Sequence, residues 1–226
     1  MAPHRTFKTL AAVSVAIGAT LVATGAQAVI VYSGVINLAI PNNTTGLYVN
    51  VLNGSTYSGP ATFPTLGGPG ANFDFNLFGA TAWTLFSPGG SGQSAPTVPA
   101  ASKGYVSVTA TGAASNLAFG TLIDGSSVFN TVTPSGSALA TGSPALFGFR
   151  FRNEGPDLAS AADDTVHFGW ARVILTNNVP GTLVDYAFES MPLTGIQAGV
   201  VPEPSTYALF GAGLAGLLAW SRRRRG

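Results

Sequence analysis

From residue 147 to 152 the chain reads Phe-Gly-Phe-Arg-Phe-Arg. A bulky apolar side chain at every second position suits a strand, whose side chains alternate between two faces. It does not suit a helix, whose face returns every 3.6 residues. The same period recurs elsewhere. Phe73, Phe75 and Leu77 alternate with Asp74 and Asn76, and Leu47, Val49 and Val51 alternate with Tyr48 and Asn50. Val184, Tyr186 and Phe188 alternate with Asp185, Ala187 and Glu189. Each segment is expected to be a half-buried strand with one wet face. Further strands are expected over 29–40, 82–86, 104–110, 117–123, 127–133 and 166–176. Pro41-Asn42-Asn43, Asn53-Gly54, Asp124-Gly125, Pro134-Ser135-Gly136 and Asn177-Asn178 supply turns between them. No amphipathic helical pattern interrupts this body. The expected fold is all-β, an antiparallel β-sandwich of jelly-roll type.

The body runs from 29 to 200, a length that suits one domain with a sizeable core. The chain has no cysteine, so no disulfide staples it and an oxidising compartment is not required for folding. Four basic residues (Lys103, Arg150, Arg152, Arg172) face eight acids, a net charge of −4. The +1 of the whole chain misleads, because six of its ten basic residues lie in the terminal segments. No basic patch exists to displace counterions, so a nucleic-acid partner is not expected. Residues 57–71 and 87–102 are rich in Gly, Pro, Ser and Ala and are expected to be long surface loops.

Both ends carry targeting features. Arg5 and Lys8 precede an apolar run from Leu10 to Thr24 and a small-x-small site, Ala26-Gln27-Ala28. This is the layout of a secretory signal peptide over 1–28, forming a signal helix, with cleavage after Ala28 and a mature start at Val29. At the other end, Val201-Pro202-Glu203-Pro204 excludes a helix interior. Tyr207 to Trp220 then carries no charge, and Arg222, Arg223, Arg224 and Arg225 follow. Ser205 to Ser221 is 17 residues, about 25 Å of helix against a hydrocarbon core of about 30 Å. Snorkelling arginines and local thinning cover the mismatch. A single transmembrane helix over about 205–221 is expected, with the arginines as its cytoplasmic stop. Gly211, Gly213 and Gly216 spell a dinucleotide-like G-x-G-x-x-G, but a Pro-Glu-Pro precedes it where a strand would be needed. Gly211/Ala215 and Ala212/Gly216 instead have the small-xxx-small spacing of close helix packing.

Val201-Pro202-Glu203-Pro204-Ser205, the short apolar helix and the arginine cluster closely resemble the PEP-CTERM sorting signal of Gram-negative bacteria that make exopolysaccharide. The resemblance covers 201–226 and implies recognition and processing by an exosortase, a membrane-embedded transpeptidase-like enzyme. It implies that Pro202, Glu203 and Pro204 are the recognition motif and that Arg222 to Arg225 are the membrane stop. The protein would then be the substrate of that enzyme and a client of the secretion translocon. The order GFRFRN, HFGWARV, DYAFES within 145–200 also resembles a recurrent ectodomain of such proteins, which implies a fold and a location only.

Signals for catalysis are sparse. The body holds one histidine, His167, on the strand face opposite Phe168 and Trp170. It contains no G-x-S-x-G and no cysteine, and one histidine cannot make a His-rich metal centre. No cofactor is expected. Asp157, Asp163 and Asp164 lie in the acidic loop between two strong strands and are the candidate Ca²⁺ ligands, without the EF-hand spacing. The alternative is a solvated loop whose acids offset Arg150, Arg152 and Arg172. The leading expectation is a non-enzymatic, structural or adhesive envelope or matrix protein associated with exopolysaccharide or biofilm. A lectin-like glycan-binding module using Tyr48, Tyr57 and Tyr105 is the alternative, and a secreted hydrolase the second alternative.

Overall fold

The alternating segments become strands. The computed structural model describes residues 28–58, 73–79, 82–86, 103–110, 112–130, 135–136, 139, 141–153 and 162–201. Among these the elements are β1 (Ile30–Tyr32), β2 (Leu38–Ile40), β3 (Leu47–Val49), β4 (Thr56–Tyr57), β5 (Phe75–Phe78), β6 (Thr84–Phe86) and β7 (Gly104–Val106). They continue as β8 (Leu122–Ile123), β9 (Phe129–Asn130), β10 (Ser135–Gly136), β11 (Pro144–Asn153), β12 (Thr165–Ile174), β13 (Gly181–Glu189) and β14 (Ile196–Gln197). The described residues are all-β, without a helix, and the strands pair antiparallel.

The seven-stranded sheet has the order β1-β13-β12-β11-β7-β9, with β2 also paired to β13. The five-stranded sheet has the order β10-β6-β5-β3-β4, and β14 and β8 form a small pair. One face of the long sheet shares a hydrophobic cluster with the five-stranded sheet. Phe147, Phe149 and Phe151 of β11 meet Val49, Phe75 and Leu85 there. The Phe75 ring stands edge-on to Phe147 at 5.2 Å. Gly169 makes room for this packing. A Cβ there would sit 2.5 Å from the Phe149 ring and 2.8 Å from the Ala187 carbonyl.

The expected wet faces are not wet. The opposite face of the long sheet carries a second cluster: Ile123, Phe129, Phe168, Trp170, Ala187, Ile196 and Ala198. Backbone bonds from Ser115 N to Val106 O and Leu117 N to Leu146 O draw the segment before β8 across this face. The β8–β14 pair closes it. Asp185 and Glu189, which the alternation puts in water, are therefore buried. On the five-stranded sheet Tyr48, Asn50, Asp74 and Asn76 are buried as well. Polar atoms of Asp74 and Asn76 are used within the fold. Asp74 Oδ2 accepts from Val51 N at 2.8 Å, and Asn76 Nδ2 donates to Thr45 O at 2.9 Å.

Three expectations of detail are corrected. The stretch 29–40 is not one strand, because Gly34 (φ 71°) and Asn37 (φ 49°) turn the chain between β1 and β2. Val184 is not in phase with Tyr186. The register of β13 against β12 shifts between Arg172 and Val173, which pair with Asp185 and Leu183, so Leu183 enters the core. Val184 is the extra residue of a β-bulge, and its carbonyl accepts from Ile36 N and Asn37 N. Ser135-Gly136, expected in a turn, forms β10 instead. The turn at Asn177-Asn178 is present, with Asn178 at φ 64°.

Candidate functional site at the junction with the C-terminal segment

After β14 the chain crosses the second cluster once more before leaving the described residues. Ala198 N donates to Thr121 O at 2.8 Å, and Gly120 N donates to Ala198 O at 2.8 Å. Gly199 follows at φ 78°, with a Cβ position 2.8 Å from the Phe119 ring, so only glycine fits this turn. The indole Nε1 of Trp170, fully buried at the centre of β12, donates to Val200 O at 3.2 Å. Val201 packs against the same cluster. The body is thus held up to the residue before Pro202. From Val200 to Ser205 the backbone can span at most about 18 Å.

The start of the body gathers on the same face. Ile30 and Tyr32 pack on the second cluster, and the Tyr32 ring lies 6.3 Å from Trp170. Tyr32 hydroxyl donates to Asp185 Oδ2 at 2.8 Å, and Arg172 Nε donates to Asp185 Oδ1 at 2.8 Å. A second donation from Arg172 Nη2 to Oδ2 completes a fork-shaped ion pair. The bond to Asp185 holds the Arg172 guanidinium above its ordinary range. Burial, then the Asp185 bond, does the same to the Tyr32 hydroxyl. Glu189, 3% exposed at the end of β13, accepts on Oε1 from Val29 N at 2.8 Å, Met191 N at 3.0 Å and Ser190 Oγ at 3.4 Å. Val29 is held on its other side too, its carbonyl accepting from Ser190 N at 3.0 Å.

The remaining candidates are placed as follows. His167 is buried, stacked on Phe151 at 5.4 Å, and bonded at both ring nitrogens. Nδ1 donates to Glu189 O at 2.9 Å, which leaves Nε2 to accept from Thr165 Oγ1 at 2.8 Å. Asp164 is turned inward onto Arg152 at 2.9 Å, the pair being 7% and 4% exposed. Asp163 is exposed beside it. Asp157 lies outside the described residues, among which no group of three His, Cys, Asp or Glu could hold a metal. Tyr48 and Tyr105 are buried, Tyr48 packing on Tyr57 and Phe73. Neither offers a flat open face to a sugar. Ala28 is described and exposed. Ala26, Pro202, Glu203, Pro204 and Arg222 to Arg225 lie outside the described residues, as do the signal helix, the segment 205–221 and most of both long loops. No described helix is long and apolar enough to cross a membrane. Sequence reasoning missed the Trp170–Val200 bond and the Val29–Glu189 bond. The hint was Glu189 itself, an acid among apolar neighbours at a strand end.

Residues 200–225 match the family model for the PEP-CTERM protein-sorting motif. No curated protein and no solved structure matches the chain. The motif implies exosortase-dependent sorting of an exported protein in association with a membrane.

Proposed function

We propose that this chain is an exported, non-enzymatic envelope or extracellular-matrix protein whose body is carried by its sorting tail. The observation that carries this is the sorting motif at 200–225, starting where the body's last residues are pinned under Trp170. In this reading a Sec-type leader over 1–28 is removed after Ala28, and 29–200 form one two-sheet β-sandwich. The chain's passage from the long sheet (β1, β2) to the second sheet (β3 to β6) and back supports its jelly-roll element. Residues 205–221 form the transmembrane helix, Arg222 to Arg225 the cytoplasmic stop, and Pro202, Glu203 and Pro204 the signal that the exosortase reads. The short reach from Val200 keeps the body close to the membrane until processing releases or transfers it.

The non-enzymatic reading is supported by the uses to which the body's ionisable groups are put. His167, Arg152, Arg172, Asp185 and Glu189 are all engaged by structural partners. A structural or adhesive role with exopolysaccharide or biofilm as partner is the reading that the tail's resemblance to the PEP-CTERM signal supports. Mass spectrometry of the protein recovered from its own cells and medium, reading both termini, tests the proposal. A chain beginning at Val29 and ending between Pro202 and Thr206 is the expected result. A chain keeping Trp220 and the arginines would remove the exosortase from the account.

A further inference from the structure

We propose that Glu189 is a built receptor for the mature chain's own N-terminus, so that removal of the leader completes the fold. The inference rests on cleavage after Ala28. Water adds across the Ala28–Val29 peptide bond, leaving a carboxylate on Ala28 and an α-ammonium on Val29. An α-ammonium is protonated at neutral pH. Its nitrogen is the atom that already lies 2.8 Å from Glu189 Oε1. Cleavage therefore turns a neutral amide bond to a buried carboxylate into a charge-assisted ion pair without moving either residue.

The surroundings suit this occupant. Glu189 is 3% exposed, and its other contacts are the Met191 amide and the Ser190 hydroxyl. Among the described residues no lysine or arginine pairs with it. A buried carboxylate held by neutral donors alone is costly, and a cation at hydrogen-bond distance offsets that cost. Of the titratable groups on the strands packed beside it, Tyr32 and Arg172 are engaged by Asp185. β1 brings no other besides the new terminus, and β12 brings His167, whose Nδ1 donates to the Glu189 backbone carbonyl rather than to its carboxylate. The geometry is selective for one start point. Ser190 N holds the Val29 carbonyl, and Ile30 pairs directly with Glu189. A chain one residue longer would carry its ammonium about 3.8 Å further along, out of reach of Oε1.

The test compares full chains released from a cleavable fusion so that they begin at Val29 or at Ala28, each with Glu189 or with Glu189→Gln. With Glu189, the Val29 start is expected to melt roughly 5 °C or more above the Ala28 start. With Glu189→Gln, that gap should close. Equal melting of the two starts with Glu189 present overturns the proposal, as does a gap that survives Glu189→Gln. The α-ammonium of the Val29 chain should also resist acylation at neutral pH relative to that of the Ala28 chain, a readout that holds if Glu189→Gln folds poorly. The first residue of the exported protein, read by mass spectrometry, separately tests the cleavage itself. A start elsewhere sinks that reading whatever the fusion chains show.

Discussion

One face of the long sheet presents Phe147, Phe149 and Phe151 to a second sheet; the other presents Phe168 and Trp170 to a flap made of β8, β14 and the loops around them. On the first face strand meets strand, and both partners carry the two-residue period. On the second face the cover is irregular, with only two-residue strands. The two differ in what they connect. The first joins the two sheets to each other, β11 with β3, β5 and β6. The second collects Ile30, Tyr32 and Val201 around Trp170, so it ties the start of the body to the place where the sorting segment begins. The first face should carry most of the stability, and the second should govern how firmly the ends are held.

Truncation separates the two faces most sharply. Phe149→Ala removes a fully buried ring between the sheets and should cost about 3–5 kcal/mol. Thermal denaturation should show a drop of about 10 °C or more. A loss no larger than that of Leu122→Ala, on the exposed side of the flap, would contradict the division of labour.

A smaller and more local effect is expected on the flap side. Trp170→Phe keeps a ring in the cluster but deletes the donor to Val200 O. It should cost about 1–2 kcal/mol and make the chain near residue 200 cleave faster in limited proteolysis. If global melting fell as far as in Phe149→Ala, the two faces would be one cooperative core without a specialised side.

The mildest effect is set by pH. Burial first of all holds the hydroxyls of Tyr32 on the flap face, and of Tyr48 and Tyr186, above the ordinary tyrosine range. The folded state thus prefers the neutral phenol. That contribution is complete below the unfolded-state pKa of about 10 and is lost as pH rises through the higher folded values. Melting temperature should decline above pH 10, and Tyr186→Phe or Tyr32→Phe should each flatten the decline. A profile unchanged in both variants would show that other groups control alkaline unfolding.

The sequence made the first face legible and concealed the second. Phe147, Phe149, Phe151, Phe75 and Val49 announce themselves by alternation, which holds wherever two sheets meet. The second cluster draws on Phe129, Ile123, Ile196 and Ala198, scattered in short segments with no period to detect. The acids beside it, Asp185 and Glu189, look like solvent-facing residues until Arg172 of the neighbouring strand, and Tyr32 and Val29 from far along the chain, are brought to them. The bulge at Val184 has no local signature either, since it arises from the fit of β13 to β12. The sorting motif is the reverse case. Pro202, Glu203 and Pro204 are readable as a linear string, because such a signal is recognised by its order along the chain.

The β-bulge at Val184 has a bearing on life at high local density. Left uncovered, β13 would offer nine residues of open backbone to a neighbour. Instead β1 and β2, three residues each, cover it on either side of the bulge, and the bends at Gly34 and Asn37 break any straight template. Among the described residues, the far margin of the long sheet, β9, and both margins of the second sheet, β10 and β4, are two residues long. Short, kinked margins resist strand-by-strand addition of further copies. Where copies of the exported chain meet, these margins therefore offer a neighbour no long, straight strand to pair with.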